Sequence, residues 1–109
     1  MATLATQVIA QAGLAPTYAS CAGGGDKFTP GDNVFLHVKN TNGSTRTVTV
    51  ESKVLSNYGT DVNVAVVVAA TTGDVMIGPL PSQRFAGSDG LGDLSYDAVT
   101  GLTIAVVRL

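Results

Sequence analysis

The sequence has no tryptophan, one cysteine and few charges. Of its 109 residues, 13% are Asp, Glu, Lys or Arg. The lone Cys21 excludes an internal disulfide and a thiolate zinc site. Six basic residues against eight acidic ones leave little positive charge to neutralise phosphates, which argues against direct nucleic-acid binding. The longest apolar run, Val64 to Ala70, is much too short to span a bilayer. Residues 1–7 carry no basic group of the kind that opens a signal peptide. The reading is a soluble protein made in a cytosol, with no membrane partner. Strong helix formers are also scarce, which disfavours a helical bundle or coiled coil.

What is present is apolar and β-prone. Hydrophobic residues make up 45% of the chain, mostly Val and Ala, alongside many Thr and 13 Gly. Val and Thr are stiff at the β-carbon and suit pleated strands. The length supports one domain with a modest core.

Residues 1–16 differ from the rest, with no charge and no strand-like run. Leu4, Val8 and Ala12 fall at helical spacing with Gly13 as a stop, but an extended N-terminal arm fits equally, since so short a helix is marginal alone. From Thr17 the pattern is β. Thr17–Cys21 is a short strand candidate, and Thr29-Pro30-Gly31-Asp32 a turn. In 33–39, Val34, Leu36 and Val38 share one face while Phe35, His37 and Lys39 share the other. Asn42-Gly43 then predicts a hairpin into 45–52, where Val48 and Val50 alternate with Thr. Residues 56–59 break the pattern. In 61–70, Val62, Val64, Val66 and Val68 share a face and Ala65 with Val67 makes the other apolar, which predicts a strand covered on both sides. Val75-Met76-Ile77 stops at Gly78-Pro79 and predicts an edge strand or crossing loop. Residues 82–85 are ambiguous, and 87–93 read as a loop. Residues 94–98 and 102–109 read as a final pair. Seven or eight short strands with regular turns predict an all-β fold. It is a single antiparallel β-sandwich or jelly-roll-like domain over 17–109 with the arm at 1–16. The expected core holds Val34, Leu36, Val38, Val48, Val50, Val64, Val66, Ile104 and Val106.

No set of residues rises to an active site. His37, the only histidine, needs a nucleophile or carboxylate that sequence does not place beside it. Asp89, Asp93 and Asp97 recur every fourth position but lack the order and terminal Glu of a calcium loop. The Gly23–Asp26 and Gly87–Gly92 stretches lack the ending of a phosphate loop and read as turns. Cys21 reads as a small apolar group. Arg84 beside Phe85 has the look of an interface pair or a local cap. The chain is therefore read as a non-enzyme with no catalytic residue, metal or cofactor.

Several stretches taken in order resemble a known family. They are residues 24–28, 33–40, 47–50, 76–81 with Arg84 and Phe85, and 99–109. Together they are similar to small head structural proteins of tailed bacteriophages, the capsid decoration or cement proteins. The likeness covers residues 16–109. It implies an all-β domain that binds the exterior of an icosahedral capsid and has no catalytic residues. The implied partner is the major capsid protein. The implied location is the virion, after synthesis in the host cytoplasm. Closed symmetric assembly is usual for oligomers, and a trimer is the first expectation. The expected partner-contacting residues are Leu4, Val8, Ile9 and Leu14 of the arm, with Arg84 and Phe85. Fourteen extended residues reach roughly 45 Å. Two other readings are a tail or head–tail connector component and a ligand- or carbohydrate-binding β-sandwich. The 6% aromatic share and absent Trp count against sugar stacking.

Overall fold

A computed structural model describes residues 2–52 and 63–109. These form ten strands and one short helix: β1 (Ala2–Thr3), β2 (Thr6–Val8), β3 (Ala19–Ser20), β4 (Asp26–Phe28), β5 (Val34–Asn40), β6 (Arg46–Val50), β7 (Val64–Val68), β8 (Gly73–Ile77), α1 (Ser82–Phe85), β9 (Gly92–Tyr96) and β10 (Leu102–Arg108). The strands make two sheets. Sheet A runs β1-β4-β9-β6-β7, and sheet B runs β2-β10-β5-β8, with β3 also pairing β10. The fold is an all-β sandwich, antiparallel except where β1 joins β4 and β2 joins β10 in parallel.

Period-2 alternation places the core as the sequence predicts. In β5, Val34, Leu36 and Val38 point inward, as do Val48 and Val50 of β6 and Ile104 and Val106 of β10, all buried. Phe28, Leu80, Phe85, Leu94 and Leu102 complete the interior. Gly92 is required where β9 crosses Phe28, because a β-carbon there would lie 2.5 Å from the Phe28 ring.

Strand partners differ from expectation. Residues 33–40 and 45–52 do not form a hairpin: β5 pairs with β10 and β8, while β6 pairs with β7 and β9. The Asn40–Ser44 connection crosses from one sheet to the other. Asn40, buried, holds that corner. Its side-chain amide donates to the Ser44 and Ala69 carbonyls at 2.9 and 3.1 Å, and its Oδ1 accepts from the Asn42 N–H. The final pair likewise divides, β9 to sheet A and β10 to sheet B. Gly101 turns that corner at φ 77°, a left-handed conformation that favours glycine.

Among the described residues β7 ends sheet A, and its outer face is not covered as predicted. Val67 is 63% exposed, Ala65 is exposed, and Val64 and Val66 are only half-buried against the core. The pattern break at 56–59 and Val62 lie outside the described residues.

Residues 2–16 are neither a helix nor a detached arm. β1 and β2 add to the two sheets in turn, and buried Leu4 links them, its N–H donating to the Lys27 carbonyl at 2.7 Å. A turn at 10–13 follows, with the Gly13 N–H bonded to the Ala10 carbonyl. Short added strands of two and three residues carry too little pattern to read, and they form because each sheet offers an unpaired edge.

Candidate functional site

The outer face of sheet B gathers side chains that the sequence keeps far apart. β5 presents Phe35, His37 and Lys39 outward. β8 presents Asp74 and Met76, and β10 presents Ala105 and Val107. Residues 9–18 run across this face as a strap, which is why Ala105 and Val107 are buried although they point away from the core. Gln7 fixes one end, its side-chain amide donating to the Thr17 carbonyl and its carbonyl accepting from the Thr17 N–H, both at 2.8 Å.

Tyr18, the residue after Thr17, latches the same end onto the sheet. Its hydroxyl lies 2.5 Å from His37 Nδ1, and His37 Nε2 bonds Oδ1 of Asp74. Ala105 is the β10 residue paired with His37, and its small side chain gives Tyr18 room to cross. The rings meet edge-on with centroids 5.3 Å apart, and Lys39 Nζ sits 4.4 Å over the Tyr18 ring. Such a cation–π contact adds about 0.5–1 kcal/mol at an exposed site. Neutral His37 donates from Nε2 to Asp74 and accepts the tyrosine proton at Nδ1. In the imidazolium both nitrogens donate and the Tyr18 oxygen accepts. The carboxylate that sequence could not supply for His37 is thus present. Its chain of bonds fastens the strap to the sheet in either protonation state.

Beside the strap lies apolar surface. Ile9, Leu14, Phe35, Met76 and Val107 line a small groove of about 160 Å³. A larger one, about 460 Å³, lies between Asp32, Phe35, Met76, Pro79 and Leu109. Phe35 and Met76 line both. Met76 is 65% exposed and Leu109 69%.

The six residues expected at an interface separate accordingly. Ile9 and Leu14 meet on this face. Val8 is exposed at the β2 edge, opposite Arg108. Leu4 is buried between the sheets. Phe85 is core, because α1 turns it inward, and the Arg84 guanidinium stacks 5.0 Å from its ring. Phe85 therefore offers no contact surface. Sequence reading missed Tyr18, Phe35, Asp74, Met76, Pro79 and Leu109. The outward register of Phe35 was readable from alternation, but the groove around it depends on topology.

Elsewhere, described polar side chains bond within the fold. Lys27 Nζ bridges Asp89 and Asp93 at 2.9 and 3.0 Å, and Asp97 accepts from the Thr47 N–H at 2.9 Å. The Lys27 ammonium holds the Asp89 carboxyl below the usual range. In the interior, Tyr96 donates to Oδ2 of buried Asp26 at 2.7 Å. Burial pushes the nearby Cys21 thiol up to about 11, which favours its protonated form at neutral pH. Among the described residues no group of three or more His, Cys, Asp or Glu is placed to hold a metal, and no helix is long and apolar enough to cross a membrane. Comparison with protein families, with curated proteins and with solved structures returns no match.

Proposed function

We propose that the chain is a virion structural protein that binds the exterior of an icosahedral phage capsid and stabilises it. The observation that carries this is the outer face of sheet B, where Ile9, Phe35, Met76 and Leu109 leave contiguous apolar surface on a rigid strand platform. Surface of this kind marks protein contact sites. The resemblance of residues 16–109 to decoration proteins supplies the partner class, the major capsid protein.

In this reading the strap fastens the domain as part of the platform rather than as a free arm. Residues 9–16 and the β5–β8 surface contact the shell together, with copies arranged as a trimer at a local threefold. A copy that touches two capsid subunits resists their separation, because its second contact forms at high effective concentration.

Quantitative mass spectrometry of purified particles tests the proposal. Decoration requires many copies per particle, and particles lacking the chain should burst at lower temperature. A few copies per particle would replace this reading with a connector or tail component.

A further inference from the structure

We infer that the free edge of β8 and the adjoining groove bind an extended segment of the capsid subunit. That segment carries a large apolar residue and a Lys or Arg two positions apart. The inference rests on the decoration reading for the partner's identity, and on the following geometry for its chemistry.

Among the described residues β8 is the last strand of sheet B, and one side of its backbone is unpaired within the sheet. An unpaired edge is a template for an added strand. Asp74 and Met76 stand two residues apart on the outer face of that edge, and both are exposed. Side chains on one face of an added strand also recur every second residue, so Asp74 and Met76 are matched by a basic and an apolar residue at that spacing. Beyond Met76 the groove of about 460 Å³ offers Phe35, Pro79 and Leu109 to the apolar side chain.

Charge selects the occupant. Among the residues lining the groove Asp32 alone is charged, and Asp74 adds a second carboxylate on the adjoining edge. His37 binds one oxygen of Asp74, yet that side chain stays 56% exposed and open to a cation. Lys39 stands opposite Asp74 in register but carries its Nζ over the Tyr18 ring, and the other described basic side chains with assigned contacts are directed elsewhere: Lys27 to Asp89 and Asp93, Arg46 to the Thr100 carbonyl, Arg84 to Phe85. A second copy of this chain fits less well, because full antiparallel overlap of β8 with itself sets Asp74 opposite Met76 and gives neither carboxylate a basic partner.

The test is an NMR titration of the ¹⁵N-labelled full chain with a short threonine-rich peptide that carries Leu and Lys two residues apart. A matched peptide carries Glu in place of Lys. Saturable shifts should be confined to amides of 73–77 and 32–35. The Glu peptide should bind about threefold more weakly, as for an exposed ion pair. Asp74→Lys should reverse that preference, and Met76→Glu should abolish saturation while keeping a dispersed spectrum. Absence of saturable shifts, shifts centred on β7, or an Asp74→Lys variant with unchanged preference overturns the inference. So does concentration-dependent dimerisation that perturbs 73–77 without peptide, which makes a second copy the occupant. No particle enters this assay, so its failure is distinct from failure of the decoration reading, which copy number decides.

Discussion

The Tyr18 hydroxyl meets His37 Nδ1 at 2.5 Å, across nineteen positions of sequence, and this contact fastens the N-terminal strap to sheet B. Removing one such bond costs about 0.5–1.5 kcal/mol. Tyr18→Phe should therefore speed hydrogen exchange of amides 9–18 by roughly tenfold at most, with β5 and β10 protection unchanged. His37→Ala removes both of the histidine's bonds and should loosen the strap further. Equal protection in all three proteins would show that the latch carries no stability.

Leu36 is fully buried between the sheets, whereas Val67 faces outward on the end strand of sheet A. Leu36→Ala should cost about 2–5 kcal/mol in urea unfolding. Val67→Ala should stay within about 0.5 kcal/mol. Similar losses at the two positions would contradict the assignment of β7 to an exposed edge.

Gly92→Ala places a methyl against the Phe28 ring. Overpacking of a filled core costs about 1–3 kcal/mol. The double variant Gly92→Ala with Phe28→Leu should lose less than the sum of the single changes, because the ring that obstructs the methyl is gone. Additive losses would place the strain elsewhere.

Burial raises the Cys21 thiol from its ordinary 9.0 to about 11. The native state thus favours the protonated thiol. The stability linked to it is whole below pH 9.0 and is lost as pH rises through about 11. Urea midpoints measured between those limits should fall more steeply for the wild type than for Cys21→Ala. In the native protein at neutral pH, a thiol reagent should react with Cys21 far more slowly than in denaturant. Equal rates would mean that the thiol is accessible.

Much of the fold is legible in the sequence, and what is hidden has a physical cause. Alternation in 33–40 and 102–109 assigns Val34, Leu36, Val38, Ile104 and Val106 to the core, because burial of one face fixes which residues point inward. The same pattern is silent on pairing. Asn42-Gly43 suits a hairpin, yet the chain there changes sheets, and only the side-chain bonds of Asn40 reveal the corner. The short β1, β2 and β4 escape notice because two or three residues hold too little periodicity. The edge position of β8 was readable from Gly78-Pro79, and the outward face of Phe35 from its register. The meeting of Tyr18, His37 and Asp74, and of Phe35 with Leu109, depends on strand order, which local patterning does not encode.

In the proposed function the outer face of sheet B is the surface that would hold the protein on a capsid. Met76 and Val67 are similarly exposed apolar residues on different sheets, which makes each the control for the other. The direct measurement is retention on purified particles of Met76→Glu and Val67→Glu, each competed against wild-type chain and quantified by mass spectrometry. The account predicts that Met76→Glu falls by about tenfold or more, as for a residue central to an interface, while Val67→Glu is retained like wild type. Equal retention of both variants, or loss of Val67→Glu alone, would contradict it.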